Sequence, residues 1–281
     1  MDMEIKRLNA SELKRMTLRV RSNILDMIPA GKVGHLGGSS SIADVATVLY
    51  MGHMRVFDDP KDPARDRLIF SKGHAVLAQY ACLVELGYFD REELHHVKTL
   101  TGLLQGHPDM SIPGIEAVTG SLGQGLSVSL GMALGLKLDH SDSRVFCVLG
   151  DGELDEGQVW EAAMAAGAYG MDNLCAIIDA NKVQATDTVQ KVLPNPDLAA
   201  KWSAFGWHAI EIDGHDIDQI LAALEQARST KGKPTAIIAN TVKGKCFAFA
   251  EGKAQYHNAA MTEEEYREAR ETLERMGREL A

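Results

Sequence analysis

Apolar positions along this chain alternate between two rhythms. Short, nearly continuous runs at 67–71 (Arg-Leu-Ile-Phe-Ser), 144–149 (Arg-Val-Phe-Cys-Val-Leu), 174–180 (Leu-Cys-Ala-Ile-Ile-Asp-Ala), 208–212 (His-Ala-Ile-Glu-Ile) and 235–242 predict buried strands. Between them lie stretches with helical spacing. One covers 11–28, apolar at Leu13, Met16, Val20 and Ile24 and ending before Pro29-Ala30-Gly31. Others fit roughly 155–169 and 216–228, one follows Lys72-Gly73-His74, and a charged amphipathic helix covers 262–279, opened by the capping box Thr262-x-x-Glu265. Alternation of this kind predicts an α/β fold, a mostly parallel β-sheet flanked by helices on both faces.

Glycine-rich segments punctuate the pattern. Gly34-His35-Leu36-Gly37-Gly38-Ser39-Ser40-Ser41 reads as a turn running into a helix through a capping box, Ser41-x-x-Asp44. Thr119-Gly120-Ser121-Leu122-Gly123-Gln124-Gly125 opens a helix of small residues, Gly125–Leu138, suited either to close packing at a subunit interface or to burial within the chain. No linker, repeat or low-complexity segment divides the sequence, so residues 1–281 are expected to form one domain.

Composition narrows the function. With 281 residues, 45% of them hydrophobic, the chain can bury a full core. A net charge of −10 argues against non-specific nucleic-acid binding. Cys82, Cys147, Cys175 and Cys246 form no CxxC pair and suit reduced core positions in a cytoplasmic protein. No apolar span is long enough to cross a bilayer, and no secretory leader is evident.

The candidate chemistry lies at predicted strand ends, where open α/β sheets bind ligands. Gly150-Asp151-Gly152 follows one strand, and Asn181, thirty positions after Asp151, follows the next. A βαβ connection sets the Asp151 carboxylate beside the Asn181 amide oxygen, an oxygen pair suited to Mg²⁺ and a diphosphate. Taken singly, Gly-Asp-Gly and Asn181 are equally turn residues, and the glycine loops equally helix caps. Glycine loops at helix N-termini also present N–H groups to anions. His35, His74 and His107 sit in Gly-containing loops and His257 in a late loop, whereas the adjacent His95 and His96 point apart on a predicted helix. No His-x₃-His pair or Cys/His cluster suggests zinc.

These motifs in this order resemble the N-terminal, diphosphate-binding domain of transketolase, a thiamine diphosphate enzyme. The likeness runs from Gly34-His35 through Ser71-Lys72-Gly73-His74, Gly106-His107-Pro108, the 119–125 loop and Gly150–Gly157 to Lys243-Gly244-Lys245 and Lys253-x-x-x-His257. It implies transfer of a two-carbon ketol group between sugars, with thiamine diphosphate and Mg²⁺ (or Ca²⁺ or Mn²⁺) as cofactors. Asp151 and Asn181 would ligate the metal by side chains and Val183 by its carbonyl. Gly152 and Gly120-Ser121-Leu122 would approach the cofactor through backbone atoms, while His74, His257 and Lys243 lie near its diphosphate or the sugar. His35 and His107 would hydrogen-bond the donor sugar, and all four imidazoles could shuttle protons.

In that family a glutamate that activates the cofactor sits on a second, pyrimidine-binding domain, which would begin where this sequence stops, at Ala281. Glu156 and Glu161 match family acids at the subunit interface, Glu156 in a carboxylate network reaching that glutamate. The resemblance therefore implies a split transketolase, completed by a C-terminal subunit in an α₂β₂ assembly acting on sugar phosphates. Leu36 departs from the proline common in Gly-His-Pro-Gly, and the following Gly37-Gly38-Ser39 also differ, so the donor pocket and the sugars used are left open, pentose phosphates and sulfosugars included. Rival readings are a 1-deoxyxylulose-5-phosphate synthase, the α chain of a 2-oxo acid dehydrogenase and a non-catalytic thiamine-binding module.

Overall fold

A computed structural model describes residues 3–280; Met1, Asp2 and Ala281 of the predicted domain lie outside the described residues. In chain order, α1 (Ala10–Met27), α2 (Leu36–Val48), β1 (Arg67–Phe70), α3 (Val76–Leu83), α4 (Gln124–Leu138), β2 (Val145–Gly150) and α5 (Gly157–Ala168) come first. They are followed by β3 (Leu174–Ala180), α6 (Val189–Val192), α7 (Leu198–Ala204), β4 (His208–Asp213), α8 (Ile217–Ser229), β5 (Thr235–Asn240) and α9 (Glu263–Glu279). The strands form one sheet in the order β1-β2-β3-β5-β4, and every neighbouring pair is parallel.

Period-two alternation explains why these strands are apolar on both sides. Phe146, Val148, Cys175, Ile177, Ile237 and Ala239 face a core shared with α1, α2, α3 and α8. Val145, Cys147, Leu149, Ala176, Ile178 and Ile238 face the opposite core, beneath α4, α5 and α7. The predicted strands and long helices are thus present, with ends shifted by one or two residues. α1 carries a capping box between Asn9 and Glu12, and the one expected at Thr262 and Glu265 is formed. The cysteines are free, and Cys82, Cys147 and Cys175 are buried.

One expectation is corrected. Residues 36–41 are not a turn capped by Ser41: α2 starts at Leu36 with His35 at its N-cap, and every residue from Leu36 to Val48 is buried. Glycine disfavours a helix by about 1 kcal/mol, but here it allows contact that no other residue permits. A Cβ on Gly37 would lie 2.8 Å from the Tyr256 carbonyl oxygen. Ser41 is therefore interior to the helix and donates its hydroxyl to Asp179 at 2.6 Å.

α4 turns Leu126, Ser129, Leu130 and Ala133 inward, while Val128 and Leu138 are exposed and a Cβ on Gly131 or Gly135 would meet nothing. One side of this helix is therefore free. Between α3 and α4 the chain is largely irregular, with a 3₁₀ turn at Arg91–His96 on which His95 and His96 are exposed. That long loop brings His107 back to the sheet edge, and its Leu100, Met110 and Val118 stand exposed.

Candidate active site at the strand ends

Four strand ends converge. β1 leads to Ser71–His74, β2 to Gly150-Asp151-Gly152, β3 to Asn181 and β5 to Thr241–Lys243. They border a cavity of about 200 Å³ that includes Lys72, His74, Leu122, Asp151, Gly152, Asn181, Val183, Lys243 and His257. This is small for a whole cofactor and suits its anionic end. A larger cavity, about 510 Å³, lies across Asp151 and Val183 and borders none of these histidines.

The floor is a charge knot to which the sequence alone assigns no role. Asp179 is fully buried and accepts hydrogen bonds from Lys72, Ser41, Thr241 and the Asn181 amide. Burial opposes its charge, but the Lys72 ammonium and the hydroxyl donors outweigh it and hold the carboxyl below its usual range. Lys72 also donates to the Gly38 carbonyl at 3.1 Å, so α2, β1, β3 and the segment after β5 share one tie. Removing either member of such a buried pair strands a charge. Glu153, 3% exposed, does similar work beside it. It accepts from the Ser71 hydroxyl, from Gly123 N–H at 2.9 Å and from Gly150 N–H at 3.0 Å, pinning the 119–125 loop to the end of β2. Its place directly after Gly-Asp-Gly was the available signal.

Above the floor lies a set of oxygens. Asp151 accepts from Lys182 N–H at 2.5 Å and from Gly152 N–H at 2.9 Å, the former because Lys182 adopts φ 67°. Burial, then the nearby Asp179 charge, pushes its carboxyl up to about 6. The Asn181 amide donates to Asp179 at 2.8 Å, which fixes its orientation and leaves Oδ1 for Val183 N–H at 3.1 Å and for the cavity. The Val183 carbonyl accepts from Lys243 Nζ at 2.8 Å, and Lys243 is itself 3.0 Å from His257 Nδ1. Burial and the Lys72 charge bring the Lys243 ammonium down to about 8. Because Lys243 donates, His257 Nδ1 accepts and the ring proton rests on Nε2. No three His, Cys, Asp or Glu side chains group as a metal centre among the described residues.

The four loop histidines meet. Ring centroids are 4.7 Å apart for His74 and His257, 5.3 Å for His35 and His74, 5.5 Å for His35 and His257, and 6.1 Å for His35 and His107. Burial, reinforced by neighbouring cationic and imidazole groups, lowers His35 to about 3, His74 to about 2 and His257 to about 4. Burial and Lys98 lower His107. The cluster is therefore neutral near pH 7, each ring offering one donor and one acceptor.

Neutral burial makes stability depend on pH. Above about pH 6.5 these imidazoles are neutral whether folded or not, and their contribution is complete. As pH falls, the unfolded chain binds protons that the folded cluster refuses until about 4 to 2, so stability is lost across that window. Melting temperature is expected to fall steadily below pH 6.5, and His74→Gln to flatten that slope. An unaltered slope in a folded variant would show that His74 is not held neutral.

The remaining predicted residues lie around this centre. Gly120, at φ 146°, presses on His107, since a Cβ there would approach the ring to 2.8 Å. A Cβ on Gly152 would meet the Gln184 side chain at 2.6 Å. Ser121 is exposed on the same loop. Glu156, at the N-cap of α5, and Glu161, on that helix, are exposed and do not border the cavity. They share the outer face of α5 with Met164, 57% exposed.

Known proteins resemble this chain over most of its length. Residues 13–278 match the family described as transketolase, thiamine diphosphate binding domain. The chain is 44% identical over 270 residues to the 6-deoxy-6-sulfo-D-fructose transketolase subunit SqwG of Clostridium sp. (strain MSTE9), covering 95% of this chain and 98% of that one. It is 41% identical over 258 residues to an apulose-4-phosphate transketolase subunit of Phocaeicola vulgatus, covering 91% and 92%. Human transketolase is 39% identical over 87% of this chain, which spans only 39% of that protein. The crystal structure of Campylobacter jejuni transketolase superposes with a TM-score of 0.87 at 33% identity, covering 95% of this chain and 43% of that one. These matches favour transketolase over the synthase, dehydrogenase and non-catalytic readings, and the relatives of similar length are named as subunits, which indicates a separate partner chain. No helix among the described residues is long and apolar enough to cross a membrane. The chain belongs to the transketolase family, as its N-terminal, thiamine diphosphate-binding part.

Proposed function

We propose that residues 1–281 form one diphosphate-binding domain, the N-terminal half of a cytoplasmic two-chain transketolase assembled as α₂β₂ with a C-terminal subunit that carries the catalytic glutamate. The reading is carried by one observation, the cluster of four neutral imidazoles beside a buried carboxylate. Asp151, 7% exposed, has no ion-pair partner among the described residues. It fits a hard cation together with Asn181 Oδ1 and the Val183 carbonyl lone pair that Lys243 does not use, so these three would hold Mg²⁺, with Ca²⁺ or Mn²⁺ as substitutes. The chemistry supplied by thiamine diphosphate when bound is that of an electron sink for ketol transfer.

This chain's own groups do the rest. Gly152 and the Gly120-Ser121-Leu122 loop admit the diphosphate end without side-chain obstruction, and Lys243 and His74 meet its charge. His257 presents Nε2–H toward the sugar, and His35 and His107 donate to the donor's carbonyl and hydroxyls. Held neutral, these rings orient the sugar's carbonyl and hydroxyls through hydrogen bonds, each ring offering one donor and one acceptor. Glu156 and Glu161, exposed on the outer face of α5, lie at the subunit contact, where Glu156 links the site to the glutamate of the C-terminal chain. Two relatives are named for 6-deoxy-6-sulfo-D-fructose and apulose 4-phosphate, so anionic ketoses, pentose phosphates included, are the donors to screen.

His107→Ala tests the sugar-binding role. In the reconstituted complex it is expected to lower kcat/KM for the ketose about a hundredfold, the range of a lost general acid–base group, with thiamine diphosphate affinity unchanged. Unaltered transfer would remove His107 from the sugar site.

A further inference from the structure

His215 lies outside the cavity and has no role in the chemistry above, yet it joins two layers of the fold. It follows β4 in the loop leading to α8, with its side chain 13% exposed. Its Nδ1 is 2.7 Å from Asp44 on α2, and its Nε2 accepts the backbone N–H of Val242 at 2.9 Å. Arg21 on α1, 1% exposed, grips both Asp44 oxygens at 2.7 Å and the Ser40 carbonyl at 3.2 Å. Burial opposes the Asp44 charge, but Arg21 and His215 outweigh it, so Asp44 stays an acceptor. An amide N–H can only donate. The imidazole is therefore neutral, with its proton on Nδ1.

Val242 sits at a fulcrum. Thr241 before it donates to Asp179, and Gly244 N–H after it donates to the Gly37 carbonyl at 3.0 Å. Between them Lys243 projects into the cavity to Val183 and His257. We propose that His215 is a positioning residue that, braced by Asp44 and Arg21, fixes the Val242 amide and thereby aims Lys243 at the diphosphate. This rests on the reading of the cavity as a thiamine diphosphate site.

Two conservative variants separate positioning from packing. In His215→Gln the new amide oxygen reaches the place of Nε2 and keeps the acceptor for Val242, whereas His215→Asn reaches only the place of Nδ1 and keeps the bond to Asp44. Both are measured in the assembled two-chain complex, by hydrogen exchange at the Val242 amide and by titration with thiamine diphosphate and Mg²⁺. His215→Asn is expected to exchange about tenfold faster at Val242 and to bind the cofactor about tenfold more weakly, the worth of one hydrogen bond. His215→Gln, which keeps the acceptor but gives up the Asp44 brace, is expected to lie between the parent and His215→Asn in both. Equal behaviour of the two variants, or weakening by His215→Gln alone, overturns the proposal. A parent complex that binds no thiamine diphosphate would instead defeat the reading of the cavity, and the exchange comparison would still judge the role of His215.

Discussion

Asp151→Asn is expected to lower affinity for Mg²⁺ and thiamine diphosphate at least about a thousandfold, about 4 kcal/mol, and to abolish ketol transfer. The substitution keeps an oxygen for Lys182 N–H, gives up the acceptor for Gly152 N–H and removes the charge, the one carboxylate in the proposed oxygen set. Asn181 and the Val183 carbonyl are neutral and cannot compensate a divalent ion by themselves. Local damage is separable from this effect. Burial and Asp179 raise the Asp151 carboxyl to about 6, so at pH 8 it is ionised at a cost to the empty folded state. Without cofactor the variant should therefore melt no lower than the parent at pH 8. Calorimetric titration of the complex, beside melting curves of the empty protein, tests both halves. Native-like cofactor binding by the variant would remove Asp151 from the metal.

Alone, the chain is expected to show no ketol transfer, with activity falling by more than about a thousandfold relative to the complex, within the range of a missing general acid–base group. The cavity of about 200 Å³ encloses only an anionic end, leaving the rest of a cofactor to be covered from outside. Running away from it, α4 and α5 carry Val128 at 38%, Met164 at 57%, Tyr169 at 66% and Leu138 at 80% exposure, with the open surfaces of Gly131 and Gly135 on α4. Such a group of exposed apolar side chains marks a contact surface. Titrating the C-terminal chain into this one should restore activity with saturation at equimolar ratio, and light scattering should give the α₂β₂ mass. Full activity without that companion would sink the split-enzyme reading.

The strands were legible because buried parallel strands read as apolar runs, and the residues following them mark where ligands meet the sheet. Asp151, Asn181, His74 and Lys243 followed from that placement together with the family resemblance. The start of α2 was not legible: glycine and serine signal turns locally, and only the approach of Tyr256 and Lys243 to Gly37 explains a helix there. Nor was the Lys72–Asp179 pair, since the two residues are 107 positions apart and Asp179 looks in sequence like the polar end of a strand. Nor were the contacts of His215 with Asp44 and Val242, which span 171 and 27 positions.

The packing of the first turn of α2 also limits how descendants of this enzyme could acquire new substrates. A single added methyl at Gly37 collides with the Tyr256 carbonyl, whereas one at Gly38 makes only an ordinary contact with His74 at 3.5 Å. At Gly37 that wall is closed to gradual variation, although it borders the imidazoles. Leu100, Met110 and Val118, at 101%, 64% and 65% exposure, can change size and charge without disturbing a neighbour. Inherited shifts in sugar preference should therefore accumulate along the 98–118 loop and on the companion chain, while Gly37 remains unaltered.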